Sequence, residues 1–278
     1  MRLIVYDVEV FHEDWLVVFK DLESGRYTVV HNDNEELKQC ISDDCVYIGF
    51  NSKHYDQFII KAICCDFSPR EVKQVNDYII GGNQGWDCPM LRDKFFRFNN
   101  VDIRDDMQVG LSLKAIEGHL RMDIRESEVD FELERQLTEE EIKETVFYCK
   151  HDVDATAMLI ELRKNYLKSK IDIGKLAGID EVKAMSMTNA KLTAALLQAT
   201  KKPHDDEREY QYPANLKREF IPDEVFEFFD RMKDPSLTDE ELFKGKLTLQ
   251  MRGGECVMGF GGIHMGIPGY REDGEDAS

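Results

Sequence analysis

The chain has 278 residues and a formal charge of −19, from 36 basic against 55 acidic side chains. Such a field excludes a nucleic-acid binder that relies on general electrostatic attraction, so any grip on DNA or RNA must come from local features. Seven cysteines, an odd number with no CxxC pair, signal neither a zinc site nor a disulfide framework and read as the reduced thiols of a cytoplasmic protein. No apolar run approaches the roughly 18 residues of a membrane span, so a soluble, unexported chain without membrane contact is expected.

Taken in order, "RLIVYDVEV", "WLVVFK" and "RYTVVH" read as three strands of a meander and "CVYIGF" as a fourth, each short, apolar and rich in β-branched residues. Helical spacing follows in "YDQFIIKAICC", "SPREVKQVNDYII", "SLKAIEGHL" and the long "TEEEIKETVFYCKHDVDATAMLIELRKNYL", which opens on a capping box of Thr138 and Glu141. "DEVKAMSMTNAKLTAALLQAT" reads as one further helix. The charged, proline-containing "KKPHDDEREYQYP" then marks a boundary near residue 200. Beyond it stand a helix around "PDEVFEFFDRM", a glycine-rich "GFGGIHMGIPGY" expected to form a loop or tail, and an acidic end. The pattern is α/β, with a domain over 1–200 and an extension over 201–278.

Three stretches hold candidate chemistry. Tyr148 and Asp152 are four apart on the long helix and share one face. Asp7 and Glu9 alternate on the first strand, so both emerge on one side of the sheet, where two carboxylates facing a core call for a cationic partner. Asp56 falls in the first turn of the helix that follows "GFNS". His151 points roughly 100° away from Asp152 on the helix and is not expected to be a ligand. His54 flanks a turn, and His264 has no second histidine or cysteine at ligand spacing. The acids Asp102 to Asp106 read as a solvated loop, and Phe58 as core.

In order and spacing these stretches resemble the three motifs of the DEDD superfamily of 3′-5′ exonucleases: D-x-E at Asp7 and Glu9, N-x-x-x-Y-D from Asn51 to Asp56, and Y-x-x-x-D at Tyr148 and Asp152. Position 147 is Phe where the histidine branch carries His, so the chain resembles the tyrosine (DEDDy) branch. The resemblance implies a ribonuclease H-like fold with a mixed central sheet flanked by helices. It also implies two divalent cations, Mg²⁺ or Mn²⁺, held by Asp7, Glu9, Asp56 and Asp152, with Tyr148 orienting the attacking water. The chemistry suits the residues: hard oxygen ligands bind such ions while leaving room for water and substrate.

"SLKAIEGHL" and the following segment narrow the resemblance to the N-terminal proofreading domain of bacteriophage replicative DNA polymerases, family B-like. There, Ser112 and Leu113 are implied contacts to a single-stranded DNA 3′ end and Asn51 is the polar contact from the second motif; Tyr55 is a further substrate-contact candidate, as a ring on which a base could stack. Two positions depart from the family: a threonine that often follows the first motif is Val10, and an assisting lysine has no counterpart in "ERQLTEEEI". "FGGIHMG" resembles the segment joining exonuclease to polymerase in such enzymes. No palm-type aspartate pair follows it, so a nuclease acting beside a polymerase domain in cis or trans is expected, not a polymerase. A stand-alone RNA-trimming nuclease and a non-catalytic module docking on a separate polymerase are the alternatives.

Overall fold

The computed structural model describes residues 2–105, 107, 112–120, 124, 127, 129–200, 211–251, 254–259 and 262–266. Asp106 and parts of the "DIRESEV" and glycine-rich stretches lie outside the described residues. The chain divides into two compact units, Met1–Ala199 and Thr200–Ser278.

The first unit is α/β. Its five-stranded sheet runs in the order β3-β2-β1-β4-β5, built from β1 (Arg2–Val10), β2 (Trp15–Asp21), β3 (Tyr27–His31), β4 (Cys45–Gly49) and β5 (Asn100–Asp102). The meander β1-β2-β3 is antiparallel, whereas β4 joins β1, and β5 joins β4, in parallel. The sheet is therefore mixed. Helix α1 (Asn34–Cys40) makes the crossover from β3 to β4, and α2 (Asp56–Cys64) and α3 (Pro69–Ile80) make that from β4 to β5.

Helices cover both faces, so the central strands are apolar on both sides. On one face Tyr6, Val8 and Val10 of β1 join Trp15, Val17 and Phe19 of β2 against α2 and α3. On the other, Val5, Leu16 and Val18 pack against α4 (Leu113–His119) and α5 (Glu139–Leu162). Side chains alternate along a strand, and Asp7 and Glu9 consequently share the α5 face with Val5.

The long helix ends sooner than its periodicity predicts. Arg163, at φ −98° and ψ 8°, separates α5 from α6 (Lys164–Leu176), and its guanidinium donates to the carbonyls of Ile103 and Asp105. "DEVKAMSMTNAKLTAALLQAT" is likewise two helices, α7 (Glu181–Ser186) and α8 (Asn189–Leu196), interrupted where Met187 is extended and Thr188 caps the second through Lys191 N. The Thr138–Glu141 capping box forms as expected at the start of α5. The buried carboxylate of Asp14 accepts from Leu137 N (2.9 Å) and Asn32 Nδ2 (2.8 Å), fastening the approach to α5 onto the β1–β2 turn.

The second unit contains α9 (Asp223–Asp230), α10 (Asp239–Lys244) and an antiparallel sheet β6-β7-β8 (Leu247–Met251, Gly254–Gly259, Gly262–Gly266). Val225, Cys256 and Met258 form its small core. The glycine-rich stretch, expected to be a loop, thus supplies a strand, because the ladder is made by main-chain groups that glycine also carries. His264 lies on β8. Among the described residues no helix is long and apolar enough to cross a membrane.

Candidate active site

Three segments far apart in sequence meet around β1: β1 itself, the start of α2 and the middle of α5. Asp7 and Glu9 present ligand atoms that lie, together with the Cys149 sulfur, within 4.8 Å of one another. The Cys149 thiol donates to Asp7 Oδ2 at 3.3 Å. Burial pushes this thiol well up, and the facing carboxylates push it further. As the donor of that bond the thiol orients the Asp7 carboxylate.

Asp56 begins α2 and is buried, at 4% exposure. Its position depends on the β4–α2 loop. Gly49 ends β4 where a Cβ would stand 2.6 Å from Ser52 Cβ and 3.3 Å from the Tyr6 ring, so a larger residue does not fit. Asn51 follows in the left-handed region, φ 62°. The loop is then tied to the end of β5: Asp102 accepts from the backbone N–H groups of Asn51 (2.9 Å), Lys53 (3.1 Å) and Arg104 (2.9 Å). Asp102 is therefore buried, at 3% exposure, and the solvated loop expected there is corrected. A sequence pattern does not show that two N–H groups, 51 and 49 positions away, need an acceptor.

Asn51 itself is held by Arg104, whose Nη1 donates to Asn51 Oδ1 at 2.5 Å. A guanidinium offers only donors, so the Asn51 oxygen is occupied and its NH₂ group is the end left for a ligand. Tyr55 is half-buried against the α2–α3 core, and its hydroxyl donates to Asn76 Oδ1 at 2.5 Å. The ring is thus a packing element and not an open stacking surface. Phe58 is core, as expected. Ser112 caps α4 by accepting from Ala115 N at 3.1 Å, and Leu113 packs partly buried against the α5-side core.

On α5 the buried stripe includes Thr145, Cys149, Asp152 and Thr156. Asp152 meets Lys114 Nζ of α4 at 2.8 Å, and the same ammonium lies 4.7 Å from the centre of the Tyr148 ring, within cation–π range. Behind it the fully buried Glu117 stands 3.7 Å from Lys114 and 3.5 Å from His151. His151 therefore points to α4 and away from the carboxylate cluster.

The electrostatics mark the cluster as short of positive charge. Asp7 is pushed up to about 7, first by burial and then by Asp152. Burial and the neighbouring carboxylates also hold Glu9 and Asp56 well above the ordinary carboxylate range. Glu9 is raised in turn by Asp7, Asp152 and Asp56, which ties all four acids into one cluster. Lys114 is a cation that eases both Asp7 and Glu9. Tyr148 is raised by burial and then by Asp152, Glu9 and Asp7. Lys114, Glu117, Cys149, Asp102 and Arg104 were not singled out as site residues by the sequence. Lys114 had one signal, its place directly after the Ser112–Leu113 pair.

Compared with known proteins, the chain matches no protein-family model and no curated protein.

Proposed function

We propose that the first unit is a metal-dependent 3′-5′ exonuclease of the DEDDy type. It removes nucleoside 5′-monophosphates from single-stranded or mispaired DNA 3′ ends, in the manner of the proofreading part of a family B-like phage DNA polymerase. A polymerase domain, in cis or trans, is its partner, and the host cytoplasm is where it works. The single observation that carries this is the mutual influence of Asp7, Glu9, Asp56, Asp152 and Tyr148, which come from three separate stretches and act on one another beside β1. The mixed sheet with helices on both faces is compatible with a ribonuclease H-like fold.

The donor set fits hard divalent cations. Its four carboxylates crowd together and repel one another, and oxygen-rich sites favour Mg²⁺ or Mn²⁺ over softer metals. Asp7, Glu9, Asp56 and Asp152 would hold them. Bound there, two such ions supply the Lewis acidity that phosphodiester hydrolysis needs. The chain's own groups do the rest. Tyr148, kept protonated at neutral pH by its raised pKa, orients a water through its phenol oxygen and does not act as its base. Lys114 fixes the Tyr148 ring and the Asp152 carboxylate relative to each other. Asn51, with its oxygen committed to Arg104, offers an N–H to an acceptor on the terminal nucleotide, and Ser112 and Leu113 flank the strand.

The test is degradation of 3′- and 5′-labelled single-stranded DNA and RNA with Mg²⁺, Mn²⁺ or EDTA, comparing the chain with Asp7→Ala. Metal-dependent shortening of DNA from the 3′ end, lost in Asp7→Ala, is the expected result. Faster trimming of RNA would replace DNA as the substrate. Absence of cleavage under every condition would reduce the unit to a docking module.

A further inference from the structure

The segment between α3 and β5 is anchored from within and aromatic without. Gly85, in the short 3-10 turn Gly85–Asp87, lies so close to Phe58 that a Cβ there would stand 2.2 Å from its ring. Cys88 and Leu91 are buried, and Phe96 and Phe98 pack on the same core. With those residues turned inward, Trp86, Arg92, Lys94, Phe95 and Arg97 face out. From 95 to 98 the order is out, in, out, in, the period of an extended chain. Phe95 is 82% exposed and Trp86 58%, large apolar surfaces whose display calls for an explanation.

Charge gives one. "RDKFFR", Arg92 to Arg97, carries three cations and one acid in a chain of net charge −19. Among the described residues none of those three cations forms an ion pair. Two of them lie beside rings: Arg97 is 5.7 Å from the centre of Phe95, and Lys94, which also draws Glu71 down from a distance, is 5.4 Å from that of Phe67. Trp86 links the strip to the candidate active site, with its ring centre 6.2 Å from that of His54 and 6.4 Å from that of Phe58. His54 belongs to the loop that carries Asn51 and ends at Asp56.

We propose that Trp86 to Arg97 is a platform for single-stranded DNA, receiving the nucleotides that precede the terminal one. Bases stack on Trp86 and Phe95 while Arg92, Lys94 and Arg97 meet the phosphates. The choice of DNA as occupant rests on the exonuclease reading; the platform itself rests on the exposed rings and unpaired cations. Stacking on aromatic side chains beside a basic track holds a single strand whatever its sequence, and it supplies the local attraction that an acidic chain otherwise lacks.

Tryptophan fluorescence tests this, because the only other tryptophan, Trp15, is fully buried. The full chain is titrated in EDTA, where no cleavage intervenes, with an eight-residue oligothymidylate and with a hairpin duplex. Quenching by the single strand is expected, with weaker binding to the duplex. Phe95→Ala should weaken single-strand binding about tenfold, and Arg97→Gln should lower the slope of log affinity against log salt by about 0.7. Both side chains are exposed, so a thermal melt serves as the folding control. No quenching, equal affinity for the duplex, or binding indifferent to both substitutions would overturn the platform; a surface made for a protein partner would respond to neither nucleic acid. Quenching in a chain that fails to cleave with Mg²⁺ would keep the platform and remove the exonuclease reading.

Discussion

Buried carboxylates occur in two settings in this protein. Asp102 is surrounded by donors, the backbone N–H groups of Asn51 and Lys53 in the β4–α2 loop and of Arg104 just after β5. Asp56, also buried, and the partly exposed Asp7 and Glu9 chiefly face one another, and they are driven toward protonation by desolvation and mutual repulsion. The difference teaches how to tell an acid that builds the fold from one held ready for a ligand. Burial raises them all, but in Asp102 three backbone N–H groups oppose the rise, whereas in the cluster neighbouring carboxylates add to it, a repulsion that on the proposed reading bound cations relieve.

Substitution should separate the two settings. The largest effect is expected for Asp7→Ala or Asp152→Ala: a fall in exonuclease kcat of order 10³-fold or more, with little loss of thermal stability, measured by single-turnover cleavage of a 3′-labelled strand. Asp102→Ala should reverse that balance. It leaves buried N–H groups without their acceptor and should cost about 3 kcal/mol in chemical denaturation. An equal loss of stability from Asp7→Ala would erase the distinction.

The pH dependence sharpens it further. Asp7, raised to about 7 from an ordinary value of 3.8, binds its proton more tightly in the folded than in the unfolded chain. Its contribution to stability is therefore complete below about pH 4 and is lost as pH rises toward 7, with Glu9 and Asp56 acting in the same direction. Protons and divalent cations compete for these oxygens. Mg²⁺ should accordingly raise the melting temperature more at pH 8 than at pH 5.5, and an equal shift at both would count against the cluster as the binding site. The smallest effect is expected for Lys114→Met, which removes a cation beside Asp152 and Tyr148. About a tenfold drop in kcat is expected, with KM nearly unchanged.

The sequence was legible wherever the physics is local. The two-residue period of "IVYDVEV" and the capping box and apolar stripe of α5 placed Asp7, Glu9, Tyr148 and Asp152 on their elements. Glycine before Asn51 and the break into α2 placed Asp56. Contacts set by packing were opaque. Lys114 reaches Asp152 across 38 positions, Asp102 binds a loop about 50 residues earlier, and nothing in either local stretch announces the partner. Helix breaks divided along the same line. Arg163 interrupts good helical sequence through its bonds to carbonyls after β5, whereas Thr188 is an ordinary N-cap residue that could have been read. Alternation also hides in "FFRF", which looks uniformly aromatic until the sheet beneath it selects Phe96 and Phe98 for the core.

On the proposed reading the Asp7–Glu9–Asp56–Asp152 cluster, and not the other buried acids, holds divalent cations. Counting bound Mn²⁺ by the loss of its free-ion electron paramagnetic resonance signal tests this most directly. The account predicts about two ions per chain at pH 8, strongly reduced in Asp7→Ala and retained in a folded Asp102→Asn. Binding that is absent, or that is untouched by Asp7→Ala, would contradict it.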